Sequence, residues 1–131
     1  MKQKFIVGDV VMYDNKVMIV KEPRDGSHFD LSCPNEGLTY CFVDAEKTKP
    51  VKLTSSILEK NGWYGATHSK QSDDNTKILY KTFIRKGYPT IKVSQDLKIT
   101  CELSPFIVKL ESVSDLQHLL FGLGINHEME V

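Results

Sequence analysis

The sequence predicts an α+β protein that is mostly β. Three observations carry this: short apolar runs rich in Val, Ile, Tyr and Phe recur between turn residues, strict alternation runs from Leu97 to Leu103, and a single stretch near the C-terminus has helical spacing. In detail, an SH3-like N-terminal β-meander or barrel over 1–50 is expected to lead into 51–131, a short helix and a four-stranded antiparallel sheet packed by one C-terminal helix.

The first strands are expected at Val10 to Tyr13, Lys16 to Lys21, His28 to Leu31 and Leu38 to Val43. Asp14-Asn15 joins the first two, and both residue types tolerate the left-handed backbone of a tight hairpin. Pro23 to Ser27 and Cys33 to Gly37 supply the next turns. A short sheet with one apolar face must close or be covered, which favours a small barrel. Lys47-Thr48-Lys49-Pro50 marks the boundary. Thr54 is placed to cap a short helix whose apolar residues are Ile57 and Leu58, and Gly62 to end it.

Trp63 and Tyr64 then precede Gly65 to Thr76, a polar, turn-rich run that reads as a long exposed loop. Strands resume at Lys77 to Arg85, Thr90 to Val93, Leu97 to Leu103 and Phe106 to Leu110. Leu97, Ile99, Cys101 and Leu103 share one face, as in a sheet covered on a single side. Val113, Leu116, Leu119, Leu120 and Leu123 form the stripe of a helix suited to that cover. Ser112 or Ser114 caps it, Ser114-x-x-Gln117 matches a capping box, and Gly124 ends it.

Phe5-Ile6-Val7 is broken by Gly8-Asp9 before a signal-peptide core could form, and the longest apolar runs, such as Val17-Met18-Ile19-Val20, are far shorter than a membrane span. No membrane association is expected. Cys33, Cys41 and Cys101 are odd in number and contain no Cys-x-x-Cys pair, which excludes a disulfide framework and a zinc knuckle and points to the cytoplasm. Cys41 and Cys101 read as core residues, and Cys33 as the exposed thiol.

No nucleophile elbow, phosphate loop, dinucleotide fingerprint or zinc-protease motif is present, so neither catalytic residues, metal ligands nor cofactors are expected. Asp115 and His118 lie three apart on the last helix, the spacing of a ligand pair or an oriented general base. A small hydrolase built on them would need a nucleophile in a shared pocket; otherwise they are a solvated helix pair.

The overall charge balances, 17 Lys+Arg against 17 Asp+Glu, but locally it does not. Lys77, Lys81, Arg85, Lys86, Lys92 and Lys98 face Asp96 alone, while Glu102, Glu111, Asp115, Glu128 and Glu130 face Lys109 alone. On a strand, Lys77, Leu79, Lys81, Phe83 and Arg85 share a face. If Ile78, Tyr80, Thr82 and Ile84 pack under the helix, that basic, aromatic-bearing face points outward. Cations interleaved with a ring suit single-stranded nucleic acid, an acidic protein surface or a second copy of the chain; they also keep a strand edge soluble. The candidate binding residues are therefore Trp63, Tyr64, Lys77, Lys81, Phe83, Arg85, Lys92 and Lys98. Trp63 serves either as an anchor or as a plug between the halves.

Leu53-Thr54-Ser55-Ser56-Ile57-Leu58-Glu59-Lys60-Asn61-Gly62-Trp63 and Asp115-Leu116-Gln117-His118-Leu119-Leu120-Phe121-Gly122-Leu123 carry a further signal. With the strand-rich start Gly8-Asp9-Val10-Val11-Met12-Tyr13, they resemble an uncharacterised family of small proteins from gut Bacteroidetes and their prophages. Many of its members carry Tyr-x-His before the last helix, where this chain has Ser112-Val113-Ser114. The resemblance implies a bacterial, mobile-element setting and lends no catalytic residue. The expected function is a non-enzymatic protein-interaction module, with single-stranded nucleic-acid binding through 77–98 as the alternative.

Overall fold

Asp14 and Asn15 both take positive φ, 51° and 60°, and so turn β1 (Val10–Tyr13) back onto β2 (Lys16–Pro23). The computed structural model describes residues 5–71, 77–103 and 105–131, with segments 68–71 and 77–79 through their backbone. The meander continues through β3 (His28–Cys33) and β4 (Leu38–Asp44), a single 3-10 turn at Ala45–Lys47, and β5 (Lys49–Pro50). The sheet order is β4-β3-β2-β1-β5, all antiparallel. β4 and β5 stand at opposite edges, so the expected closed barrel does not form among the described residues. Val11, Met18, Val20, Phe29, Leu31, Cys33 and Val43 make the core on one face, with Phe5, Tyr13, Tyr40 and Ala45 packed against it. That packing removes the need for closure.

The cysteines correct the sequence reading: Cys33 is buried and Cys41 exposed, while Cys101 is buried as expected. Cys33 continues the Phe29-Leu31 face to the end of β3. At Cys41 the period slips, because Phe29 pairs Val43 and Leu31 pairs Tyr40, leaving Cys41 and Phe42 opposite Asp30. Phe42 sits at φ 54° and its N–H donates to Asp30 Oδ1 at 3.1 Å, which holds the bulge in place.

The chain divides into two units. The first joins the meander through Lys52 to 112–129; the second runs from Leu53 to Glu111 and takes in Glu130. The final helix α2 (Val113–Gly122) thus groups with the N-terminal strands and lies against β1. Two backbone links fix this: Val113 N–H donates to Val51 O at 2.8 Å, and Lys52 bridges Ser112. Its cap is Ser112, whose hydroxyl accepts from Asp115 N–H while the Asp115 carboxylate accepts from Ser112 N–H, so the capping box is Ser112-Asp115 and not Ser114-Gln117. Ser112→Ala removes one half of that box and is expected to lower the unfolding free energy by about 1 kcal/mol in urea titrations.

In the second unit, Thr54 caps α1 (Ser55–Lys60) by accepting from Ile57 N–H, and Gly62 at φ 92° ends it, as read from the sequence. The sheet here has five strands, not four: β6 (Tyr64–Gln71), β7 (Lys77–Ile84), β8 (Ile91–Ser94), β9 (Ile99–Leu103) and β10 (Phe106–Lys109), antiparallel in the order β10-β9-β8-β7-β6. The expected loop from Gly65 is strand as far as Gln71, because its backbone pairs residue for residue with β7, from Tyr64 opposite Ile84 to Gln71 opposite Lys77. Such a ladder needs no apolar side chains along its polar end. The remainder of that loop, 72–76, lies outside the described residues.

Candidate interaction surface

The register of the second sheet sorts its side chains. Gly65, Phe83, Ile91 and Cys101 follow one another across β6 to β9 on one face, and Phe83, Ile91, Val93, Ile99 and Cys101 are all buried. This is the core face. The opposite face carries Tyr64 beside Ile84, then Thr82, Lys92 and Thr100, with Ile107 opposite Glu102 at its far side. The two faces of β7 are the reverse of those expected from its alternation. Phe83 is the buried ring, and Ile84 is 55% exposed. The cause is Gly65: its missing side chain leaves room for the Phe83 ring, which fixes that side as the interior.

The candidate residues therefore separate. Trp63 is buried; its Nε1–H donates to Pro89 O at 3.3 Å and its ring meets Tyr88 edge-on at 5.2 Å. The Arg85 guanidinium stacks over both, 5.1 Å from Trp63 and 3.8 Å from Tyr88, so its face is already in use. Lys81 is exposed at the margin of the core face, and Lys98 pairs with Asp96 at 3.6 Å in the β8–β9 turn. Lys77 is placed by its backbone at the end of β7. Of the candidates within the paired strands, Tyr64 and Lys92 fall on the outward face. Tyr64 is 80% exposed, and the Lys92 ammonium sits 4.4 Å above the ring of Tyr80. Tyr80, Ile84 and Ile107 were missed. Their signal was present, since Ile91 and Val93 alternate in phase with Phe83 once β8 is laid beside β7.

In the first unit a polar cluster joins the start of the chain to α2. Asp9 is fully buried; its Oδ2 accepts from Ile6 N–H at 3.0 Å and bonds His118 Nε2 at 2.6 Å, while its Oδ1 has no partner. Gln117 beside it accepts from Val10 N–H and donates to Gly8 O and His127 O. The His118 partner is thus Asp9, 109 residues away, and not Asp115, which is spent on the helix cap. The hydrolase arrangement of Asp115 with His118 is not what the side chains form. Among the described residues, no three His, Cys, Asp or Glu side chains converge as metal ligands, and no helix is long and apolar enough to cross a membrane.

Burial raises the Asp9 carboxyl above its ordinary value of 3.8, against the opposing pull of His118, Ile6 N–H and His127. The folded state therefore holds this proton more tightly than the unfolded chain. The stabilisation is complete below pH 3.8 and is lost as pH rises through the raised folded value. Asp9→Asn has no such titration, so its stability relative to wild type is expected to climb as pH is raised from 3.5 upward. Paired urea titrations across pH 3.5–7 measure the difference; parallel curves would contradict it.

Compared with known proteins, the chain matches no family model, no curated protein and no solved structure.

Proposed function

We propose that this chain is a non-enzymatic binding module that engages a protein partner through the outward face of its second sheet. One observation carries the reading: Tyr64 and Ile84, 80% and 55% exposed, are direct cross-strand neighbours on the face away from the core. A rigid aromatic beside an aliphatic side chain, flanked by polar groups such as Thr82 and Lys92, is the pattern of an interface anchor with its rim. The β6–β7 ladder holds the pair in place, so little ordering entropy is lost on binding.

We further propose that the meander is SH3-like, without barrel closure; its strand order and the 3-10 turn before β5, which pairs back on β1, support this. Three free cysteines support a cytoplasmic setting. The resemblance of the α1 and α2 motifs supports a prophage-linked, bacterial origin. Single-stranded nucleic acid is the competing ligand for the same face, since Tyr64 and Tyr80 offer rings and Lys92 a charge. It is the weaker reading, because Trp63 and Phe83 are buried and Arg85 is stacked on its own aromatics.

A photo-crosslinking aromatic amino acid in place of Tyr64, compared with the same replacement at exposed Lys86 in cells that express the chain naturally, tests the proposal. Protein adducts from position 64 and not from 86 are expected. Equal adducts from both sites, or adducts with nucleic acid, would overturn it.

A further inference from the structure

β10 is an edge strand with two consecutive apolar side chains in water, Phe106 at 70% and Ile107 at 69% exposure, one on each face of the sheet. Charged residues, prolines or a covering segment ordinarily blunt such edges. Here the blunting is partial: Pro105 stands before the strand and Lys109 at its end.

Leu110 N–H donates to Ile99 O at 2.9 Å, which identifies 110 with 99 as a hydrogen-bonded pair; by alternation 108 with 101 and 106 with 103 are bonded as well. The N–H and C=O groups of Ile107 and Lys109 therefore point away from β9, to the free side of the sheet. We propose that this edge pairs with the same edge of a second copy of the chain, antiparallel about a two-fold axis at Val108, so that the two second-unit sheets continue into one.

The register follows from the residues. A two-fold axis at Ile107 would set Lys109 against Pro105, which has no N–H to give. An axis at Lys109 would set two lysines side by side. The axis at Val108 does neither: Ile107 pairs with Lys109 of the second copy using the outward backbone groups of both, Val108 meets Val108, and exposed Phe106 falls beside buried Leu110. Charge agrees with this choice. Glu102 is the β9 partner of Ile107, so each Lys109 lays its aliphatic stem over the other copy's Ile107 and directs its ammonium toward that copy's Glu102. The seam is short, which makes the association weak and concentration-dependent.

Sedimentation equilibrium of the full chain over a wide concentration range is the test. The expected result is a monomer–dimer equilibrium that Lys109→Glu weakens by about tenfold or more, by setting like charges at Glu102, and that Glu102→Lys combined with Lys109→Glu restores. Both substitutions lie on exposed positions, and far-ultraviolet circular dichroism identical to wild type certifies the fold. A chain that stays monomeric up to its solubility, or a dimer indifferent to Lys109→Glu, would overturn the proposal.

Discussion

Gln117→Ala is expected to cost about 3–5 kcal/mol of unfolding free energy, among the largest effects available to a single polar substitution here. Gln117 is fully buried and its amide uses both donors and its acceptor oxygen: Oε1 accepts from Val10 N–H at 2.8 Å, and Nε2 donates to Gly8 O at 2.7 Å and His127 O at 3.0 Å. Truncation removes the side chain and strands three backbone groups. An unmade bond in the interior costs more than the same bond gains when formed, because the lost partner is not replaced by water. Gln117→Glu separates hydrogen bonding from volume. A carboxylate still accepts from Val10 N–H but opposes two carbonyl oxygens, whereas its protonated form restores one donor. The Glu variant is therefore expected to be destabilised at neutral pH and to recover in part as pH falls, while the Ala variant does not recover. Urea titrations at two pH values measure both; equal deficits would contradict the hydrogen-bond account.

Gln117 also shows why much of the fold was legible and its polar joints were not. Turn and cap chemistry is local, so Asp14-Asn15, Thr54, Gly62 and Gly124 announce themselves in a window of a few residues. Strand content is nearly as local, and most of the expected strands lie where their apolar runs placed them. The partner of a helix is not local. The stripe Val113, Leu116, Leu120 fits any apolar surface, and only long-range bonds such as Val113 N–H to Val51 O, or Gln117 to Gly8 and Val10, say that the surface is β1. Asp9 and His118 meet for the same reason, and no spacing rule could have joined them. Cys41 escaped because one extra residue opposite Asp30 reversed the alternation. The candidate surface suffered a phase error of this kind on β7, where Phe83 and Ile84 are equally apolar and the strand alone does not say which faces inward.

What decides that phase is Gly65, and the second large effect follows from it. A Cβ added at Gly65 would lie 2.8 Å from Phe83 Cε1 and 3.1 Å from Cζ, closer than atoms in contact can approach. The Phe83 ring is fully buried, so it has no solvent-side rotamer to escape into, and the strain must be taken up by the β6–β7 ladder. Gly65→Ala is accordingly expected to destabilise by about 1–3 kcal/mol, despite the better strand propensity of alanine. Phe83→Ala, which empties the site, is expected to cost about 3–5 kcal/mol. Because the two residues compete for one volume, their effects cannot add: in a Phe83→Leu background the Gly65→Ala penalty should shrink, giving a favourable coupling energy in a double-mutant cycle. Trp63, the single tryptophan, is buried in the same unit and reports its unfolding by fluorescence. Additive penalties would mean that the ring has room to move. Gly65 would then be a strand residue of no special consequence, and the inward phase of Phe83, with the exposure of Tyr64 and Ile84 on the opposite face, would rest on the buried β8 and β9 residues Ile91, Val93, Ile99 and Cys101.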